Sequence, residues 1–178
     1  MAIETTGTRV VYENRWMRVR EDTIRRTDGS AGIYGVVEKT DFAIIAPIDN
    51  GMIHLVEQYR YPVKGRYWEL PQGSWEQAPE IDPLELARAE LREETGLTAE
   101  SMIHAGHLFE CYGYSTQGFD IYLATGLEPG PADREQSEQD MISRAFPVEK
   151  VLKMVTEGVI KDAATVAALG ILRLKGLL

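Results

Sequence analysis

Three glutamates carry the strongest chemical signal in the sequence. Glu90, Glu93 and Glu94 stand three and four positions apart within the segment Ala89-Glu90-Leu91-Arg92-Glu93-Glu94-Thr95-Gly96-Leu97. On an α-helix this spacing places the carboxylates within an arc of about 100°, where like charges repel and destabilise the helix. A hard cation such as Mg²⁺, which takes oxygen ligands, would offset that repulsion. The spacing alone leaves two interpretations equally open, a metal-binding stripe and a solvated acidic face.

The segment that carries these glutamates has clear helix boundaries. Asp82 is a typical N-cap, Pro83 suits the first helical position and Gly96 suits the C-terminal stop. We therefore predict a helix over residues 83–95. The arc beside the glutamates carries three apolar residues, Leu84, Ala87 and Leu91. We expect that apolar face to pack and to hold the acidic stripe in place.

The rest of the chain must supply the scaffold for this helix. The dipeptides Asp28-Gly29 and Asn50-Gly51 predict turns between strands. Strands are expected over residues 8–26, 33–38, 42–48, 52–58, 101–124 and 141–146. Two further helices are expected over residues 147–158 and 162–175, and irregular segments over 59–73 and 128–139. This order predicts an α+β fold with a central mixed sheet packed between helices.

The bulk composition excludes several classes of function. The 178 residues have a net charge of −9, with 44% hydrophobic and 26% charged residues, as is typical of a soluble globular domain. So acidic a chain has no general attraction for nucleic acid or for anionic membranes, and neither is an expected partner. The single cysteine, Cys111, excludes an intramolecular disulfide and suits a reducing compartment. Neither a signal peptide nor a run of about 18 apolar residues is visible, so the cytoplasm is the expected location.

The residues around the glutamates resemble a known family. The pattern Glu-Leu-x-Glu-Glu-x-Gly-Leu at residues 90–97, with Leu-Pro-Gln-Gly at 70–73, is similar to the Nudix box. The flanking segments Gln58-Tyr59-Arg60-Tyr61-Pro62, Trp68-Glu69 and Asp162-Ala163-Ala164-Thr165 are similar to the ADP-ribose pyrophosphatase, or nucleoside diphosphate sugar hydrolase, branch of the Nudix hydrolases. The resemblance implies a Nudix-like α/β/α sandwich with an N-terminal β extension.

The resemblance also implies a reaction and a metal. The expected reaction is hydrolysis of the pyrophosphate bond of ADP-ribose or a related nucleoside diphosphate sugar, which yields a nucleoside monophosphate and a sugar phosphate. Mg²⁺ is the expected cofactor, and Mn²⁺ could replace it. The metal ligands would be the carboxylates of Glu90, Glu93 and Glu94 and the backbone carbonyl of Gln72. Glu93, Glu94 and Glu138 are the candidate catalytic residues, and Glu138 comes from an acidic loop that also offers Glu135 and Asp140.

Four residues are candidates for substrate binding. Arg60 follows a predicted strand and is the best candidate for phosphate contact, because its planar guanidinium matches phosphate oxygens; the alternative is an ion pair with a surface carboxylate. Glu69 could hold substrate, or it could make a structural hydrogen bond. Trp16 and Trp68 could stack on a base, and packing in the core or at a dimer interface is the alternative for each.

The resemblance further suggests a division of the chain. We expect residues 1–40 to form the β extension and residues 41–178 to form the Nudix domain. Residues 8–40 have too little apolar sequence for a core of their own. The extension is therefore a candidate for dimerisation or for capping the substrate, and a homodimer is expected.

A few positions keep other functions open. Ala89 stands where the Nudix box usually has Arg, and Ile81 stands where it has an earlier Glu. Arg88 lies about 100° around the helix from the Ala89 position and does not simply replace that Arg. These departures are the basis for an alternative, a catalytically inactive ligand sensor. Tyr112 and Tyr114 are the basis for another, a dinucleoside polyphosphate hydrolase.

Overall fold

The computed structural model describes residues 3–133 and 140–178. The ten strands among them are β1 (Glu4–Glu13), β2 (Arg18–Arg25), β3 (Ala31–Glu38), β4 (Phe42–Asp49), β5 (Met52–Arg60), β6 (Gly65–Glu69), β7 (Gln72–Gly73), β8 (Leu97–Phe109), β9 (Gly118–Pro129) and β10 (Ile142–Pro147). The helices are α1 (Pro83–Thr95), α2 (Val148–Thr156) and α3 (Ala163–Leu174), and a short 3₁₀ turn covers Tyr61–Val63.

The N-terminal strands form a separate three-stranded antiparallel sheet in the order β1-β2-β3. In the turn between β2 and β3, the Asp28 carboxylate accepts hydrogen bonds from the backbone N–H and the hydroxyl of Ser30. Every residue of β1 is exposed, as expected for strands that lack a core of their own. The structure thus contains the expected N-terminal β extension.

The main sheet is mixed, as predicted. Its strands run in the order β10-β5-β4-β9-β8, where β4 and β9 are parallel and the other neighbours are antiparallel. Helix α1 packs on one face of this sheet through a cluster that includes Ile45, Leu91 and Tyr122. Helices α2 and α3 pack on the opposite face through a larger cluster that includes Leu55, Val151 and Leu172. The α/β/α arrangement is therefore confirmed.

Strands β4 and β5 diverge within this sheet, and we call this divergence the fork. Strands β4 and β5 pair only beside their hairpin, at Ile48–Ile53 and Asp49–Met52. Farther along they separate, so β7 pairs with β4 and β6 pairs with β5. The prediction that residues 59–73 are irregular was wrong. β6 forms a hairpin with β5 around the 3₁₀ turn, and β7 pairs with residues 43 and 44 of β4, which local turn signals do not reveal.

Two other predicted segments differ from the structure. The predicted strand region over residues 101–124 is two strands, β8 and β9, joined by a loop over residues 110–117. The loop predicted from residue 128 begins later, because β9 continues to Pro129 in register with β8. In the part of the chain that the structure describes, no helix is both long and apolar enough to span a membrane.

Candidate active site

Helix α1 has the boundaries that its sequence signals predict. The Asp82 carboxylate accepts a hydrogen bond of 2.8 Å from the Leu84 N–H, and Gly96 ends the helix with a φ of 74°. Both features satisfy backbone groups that a helix end leaves open. Ala87 and Leu91 are buried, so this face fixes the rotation of α1 against the sheet.

The same rotation buries two of the three glutamates. Glu94 is 0% exposed and Glu90 is 6% exposed, whereas Glu93 is half-buried. Buried carboxylates are rare unless they are paired or bind a metal. Burial is hence the first observation that favours a functional stripe over a solvated acidic face.

The backbone at residues 72 and 73 meets both buried carboxylates. The Gln72 N–H donates a hydrogen bond of 3.0 Å to Oε2 of Glu94. Gly73 lies so close to Glu90 that a Cβ added at this glycine would stand 2.6 Å from Cδ of Glu90. The absence of a side chain at residue 73 therefore makes room for the Glu90 carboxylate.

A second buried carboxylate system lies beside the first. Arg60, at the end of β5, forms an ion pair with Glu69 of β6 through Nη2, and its Nε donates to Oε2 of Glu69 at 3.1 Å. Gln58 adds a hydrogen bond of 2.8 Å from Nε2 to Oε1 of Glu69. Glu69 is 2% exposed, while 40% of the Arg60 side chain remains accessible. The buried acid thus holds a cation whose other edge can reach solvent or a ligand.

Burial and charge determine the ionisation of this pair. Burial raises the pKa of the Glu69 carboxyl; Arg60 opposes that shift and Asp162 reinforces it. Burial also disfavours the charged form of Arg60, but the attraction of Glu69, Glu94 and Asp162 outweighs it and raises the pKa of the guanidinium. Arg60 is consequently a permanent cation in an acidic setting.

Asp162 and Thr165 tie the same region to α3. Oδ2 of Asp162 accepts hydrogen bonds from the Thr165 N–H at 2.7 Å and from Nε2 of Gln72 at 3.3 Å. Oγ1 of Thr165 accepts the Leu70 N–H at 2.9 Å. Sequence reasoning assigned no role to Asp162 or Thr165. An N-cap signal before an Ala-rich helix could have identified Asp162, but not its contact with Gln72.

These groups border a cavity of about 610 Å³. Gln72 and Gly73 line it, and the buried carboxylates of Glu90 and Glu94 contact these two residues. Three cations and three acids lie on its wall: Lys39, Arg60, Lys161, Glu69, Glu110 and Asp162. A cavity of this size with convergent polar groups is typical of a small-molecule site.

The N-terminal sheet helps to build one wall of the cavity. Val37 of β3 donates to the Tyr114 carbonyl at 2.8 Å and accepts from the Thr116 N–H at 2.9 Å. The Tyr34 hydroxyl donates to the Gly113 carbonyl at 2.6 Å. The loop over residues 110–117 is therefore fastened to β3, and its two ends, Glu110 and Gln117, face the cavity.

Two family models match the chain. A family model described as "NUDIX domain" matches residues 39–169, and one described as "Nucleoside diphosphate sugar hydrolase N-terminal domain" matches residues 3–37. The chain belongs to the Nudix hydrolase family. It is a Nudix pyrophosphohydrolase of the branch that carries this N-terminal sheet.

Similar proteins agree with this assignment. An ADP-ribose pyrophosphatase of Mycobacterium tuberculosis is 35% identical over 92% of this chain and 80% of its own length. An ADP-ribose pyrophosphatase of Bacillus subtilis is 31% identical over 75% of this chain and 71% of its own. A methanol dehydrogenase activator of Bacillus methanolicus is 27% identical over 97% of this chain and 93% of its own. The fold matches a structure titled "Crystal structure of ADP compounds hydrolase" with a TM-score of 0.86, 18% identity and coverage of 100% and 98%.

The remaining predicted site residues lie in different places. Trp16 is 48% exposed in the turn after β1, where the Arg15 guanidinium stacks 4.0 Å from its ring. Trp68 packs edge-to-face on Phe146, with ring centroids 4.9 Å apart. Neither tryptophan lines the cavity of this Nudix hydrolase. Glu138, predicted as a catalytic residue, lies outside the described residues, as does Glu135.

The donor chemistry of the Nudix site fits a hard cation. Glu90 and Glu94 provide carboxylate oxygens beside one backbone segment, and Glu93 follows on the same helix. Within residues 3–133 and 140–178, however, three or more His, Cys, Asp or Glu side chains do not already converge in metal-binding geometry. The oxygen donors suit Mg²⁺ by their chemical type, and their final arrangement would be completed on binding.

Proposed function

We propose that this Nudix hydrolase cleaves the pyrophosphate bond of ADP-ribose or a related nucleoside diphosphate sugar, with Mg²⁺ as its cofactor. The products would be a nucleoside monophosphate and a sugar phosphate. The main observation in support of this proposal is the pair of buried carboxylates, Glu90 and Glu94, which contact the cavity-lining residues 72 and 73. The names of the two ADP-ribose pyrophosphatase relatives support the substrate class.

The proposed metal ligands are the carboxylates of Glu90, Glu93 and Glu94 and the backbone carbonyl of Gln72. A bound Mg²⁺ would supply Lewis-acid chemistry, by neutralising charge on the phosphate oxygens and by making a water more acidic. Mn²⁺ has similar ligand preferences and is expected to substitute. The chain contributes the fixed positions of its oxygen donors, because burial of α1 and the Gln72 N–H restrict where Glu94 can point.

Arg60 is the proposed phosphate-binding residue. Its Nε and Nη2 are engaged by Glu69, so the guanidinium plane is held and its Nη1 edge can donate to a phosphate oxygen. A pre-oriented cation binds phosphate at lower entropic cost than a free side chain. In this proposal Glu69 orients Arg60 and does not contact the substrate.

A carboxylate near the attacking water must accept a proton from it. We propose Glu138 as the general base, with Glu93 and Glu94 as further catalytic candidates. In-line attack on phosphorus needs no covalent intermediate with the protein. Glu138→Gln should therefore lower kcat more than it changes the affinity for metal, because it is not among the proposed metal ligands.

A homodimer is also part of the proposal. The N-terminal sheet exposes several large apolar side chains: Val10, Val11, Tyr12, Ile33 and Tyr34. Exposed apolar patches of this kind often mark protein interfaces. Trp16 does not line the cavity of its own chain, so we propose that any contribution of Trp16 to substrate binding is made in the partner copy. A monomer in light scattering at micromolar concentration would contradict the proposed homodimer.

The test is product analysis with and without Mg²⁺, on ADP-ribose, other nucleoside diphosphate sugars and dinucleoside polyphosphates. We expect metal-dependent release of AMP from ADP-ribose. Glu94→Gln should lower turnover by about 100-fold or more, as expected when a group that acts in the transition state is lost. Glu85→Gln, an exposed change on the same helix, should leave turnover unchanged.

The panel also separates the alternatives. Preferential release of a nucleoside triphosphate from a dinucleoside polyphosphate would replace the proposed substrate class. Equal turnover by the Glu94→Gln and Glu85→Gln variants would remove the metal-site assignment. A lack of turnover of every compound with either Mg²⁺ or Mn²⁺ would reject the proposed activity.

A further inference from the structure

Two side chains at the start of α3 form hydrogen bonds with residues outside the helix. Oγ1 of Thr165 accepts the Leu70 N–H at 2.9 Å, and Asp162 accepts Nε2 of Gln72 at 3.3 Å. Thr165 is 0% exposed, so its hydroxyl is committed to this bond in a dry environment. The Leu70 N–H would be costly to leave without an acceptor there.

Helix α3 is a firm support for these contacts. Its inner face is buried in the main core through Ala164, Ala168, Leu169 and Leu172. The Asp162 carboxylate also caps the helix by accepting the Thr165 N–H at 2.7 Å. The position of the Thr165 hydroxyl is thus set by core packing and by the cap.

Residues 70–73 lie between three supports. Helix α3 holds Leu70 and Gln72; strand β4 holds Pro71, whose carbonyl accepts the Ile45 N–H at 2.9 Å. Helix α1 meets the same segment where Glu94 accepts the Gln72 N–H. A shift of the segment at its α3 side would therefore move the N–H that orients Glu94.

We infer that Thr165 and Asp162 are positioning residues for the metal-binding carboxylates, although neither touches the metal or the substrate phosphates in this role. They fix residues 70–73 against α3, and this segment in turn places Glu94 by a hydrogen bond and Glu90 by close contact with Gly73. The inference rests on the proposed function, because it needs Glu90 and Glu94 to bind a divalent cation.

The decisive comparison is Thr165→Val against Thr165→Ser. Valine keeps the shape of threonine and the backbone N–H that Asp162 caps, but it removes the acceptor for Leu70. Serine keeps the hydroxyl. Binding is measured with Mn²⁺ by the electron paramagnetic resonance signal of the free ion, and kcat is measured separately with ADP-ribose at saturating metal.

We expect Thr165→Val to raise the Kd for Mn²⁺ about 10- to 100-fold, the range typical of outer residues that orient metal ligands. Thr165→Ser should bind Mn²⁺ nearly as well as the wild-type chain. Val151→Ala is the control for lost stability, since Val151 is fully buried on α2, which packs against β5 and β10. It should lower Tm and leave the Kd for Mn²⁺ unchanged.

Asp162→Ser gives an independent test if Thr165→Val does not fold. Serine is a good N-cap but is too short to reach Gln72, so α3 should remain while its link to residues 70–73 is lost. We expect weaker Mn²⁺ binding with little change in helix content by circular dichroism.

The outcomes separate the two proposals. Wild-type affinity for Mn²⁺ in folded Thr165→Val and in Asp162→Ser would overturn the positioning role and leave the proposed activity intact. Equal weakening by Thr165→Val and Val151→Ala would also overturn it, because general destabilisation would then suffice. A wild-type chain that neither binds Mn²⁺ nor hydrolyses the panel would overturn the proposed function, and the positioning role with it.

Discussion

Replacing Gly73 by alanine should lower the activity and leave the stability nearly unchanged. The new Cβ would stand 2.6 Å from Cδ and from Oε1 of Glu90, whereas ordinary van der Waals contact begins at 3.4 Å. The Glu90 carboxylate must therefore retreat by about 1 Å. It is the far end of a flexible side chain, so it can move without displacing the core.

The expected loss of activity follows from that distance. Mg²⁺ holds its ligands at about 2.0–2.1 Å in near-octahedral geometry, so a carboxylate displaced by about 1 Å no longer binds it well. A misplacement of about 1 Å at an active site can reduce the rate about 100-fold, which corresponds to about 2.7 kcal/mol. Alanine also restricts the unfolded chain and stabilises by about 0.4–1 kcal/mol where the backbone is compatible. The free energy of unfolding should therefore change by no more than about 1 kcal/mol.

The assay combines AMP release from ADP-ribose over a range of Mg²⁺ concentrations with urea unfolding. Gly170→Ala is the matched control, because a Cβ at Gly170 meets nothing within 4 Å. This control should keep full activity and gain up to about 1 kcal/mol of helix stability. Wild-type kcat and wild-type Mg²⁺ dependence in Gly73→Ala would refute the role given to Glu90.

Three further changes have definite expected results. Arg60→Lys loses the bidentate contact with Glu69 and should raise KM for ADP-ribose about 10- to 100-fold, since a hydrogen bond to a charged group contributes about 1.5–3 kcal/mol. Burial lowers the pKa of His54 below its ordinary 6.5. The unfolded chain therefore takes up the proton first, and stability to urea should fall as pH drops from 6.5 through the folded-state pKa. His54→Gln should reduce that fall. Asp82→Ala should lower the free energy of unfolding by about 1 kcal/mol through loss of the N-cap of α1.

Each of these three predictions has its own control. Arg66→Lys changes an exposed arginine paired with Glu57 and Asp140, and it should leave KM unaltered. An unchanged acid-side loss of stability in His54→Gln would show that other groups cause it. Asp82→Asn keeps a capping oxygen, so a loss equal to that of Asp82→Ala would argue against the cap.

Helix α1 shows what local sequence can predict. Asp82, Pro83 and Gly96 act on their immediate neighbours, and the structure gives the predicted bounds, Pro83–Thr95. The identity of the family was also accessible, because the Nudix box is contiguous with this helix. Local signals suffice where the interactions that form an element lie within a few residues.

The fork between β4 and β5 shows where local sequence fails. Residues 59–73 contain Pro62 and Gly65, which indicate turns, yet most of this segment is strand because β5 and β4 pair with it. The contact of Gln72 with Glu94 spans 22 residues, and its contact with Asp162 spans 90. Only the folded chain brings such groups together, so the support behind the glutamates could not be read from spacing. The roles of the glutamates, of Arg60 and of Glu138 stay predictions.

The fastening of the loop over residues 110–117 to β3 limits how this enzyme can be trimmed or recombined. A boundary drawn near residue 39 looks natural, because the family models divide there and the two sheets are separate. Yet Val37 and Tyr34 lie on the N-terminal side of that boundary and hold a cavity wall that belongs to the other side. Grafting this Nudix domain onto a foreign N-terminal segment would thus keep the carboxylates of α1 but remove the hydrogen bonds that hold the loop over residues 110–117. Changes in substrate choice within such chimaeras would then arise without any substitution inside the cavity.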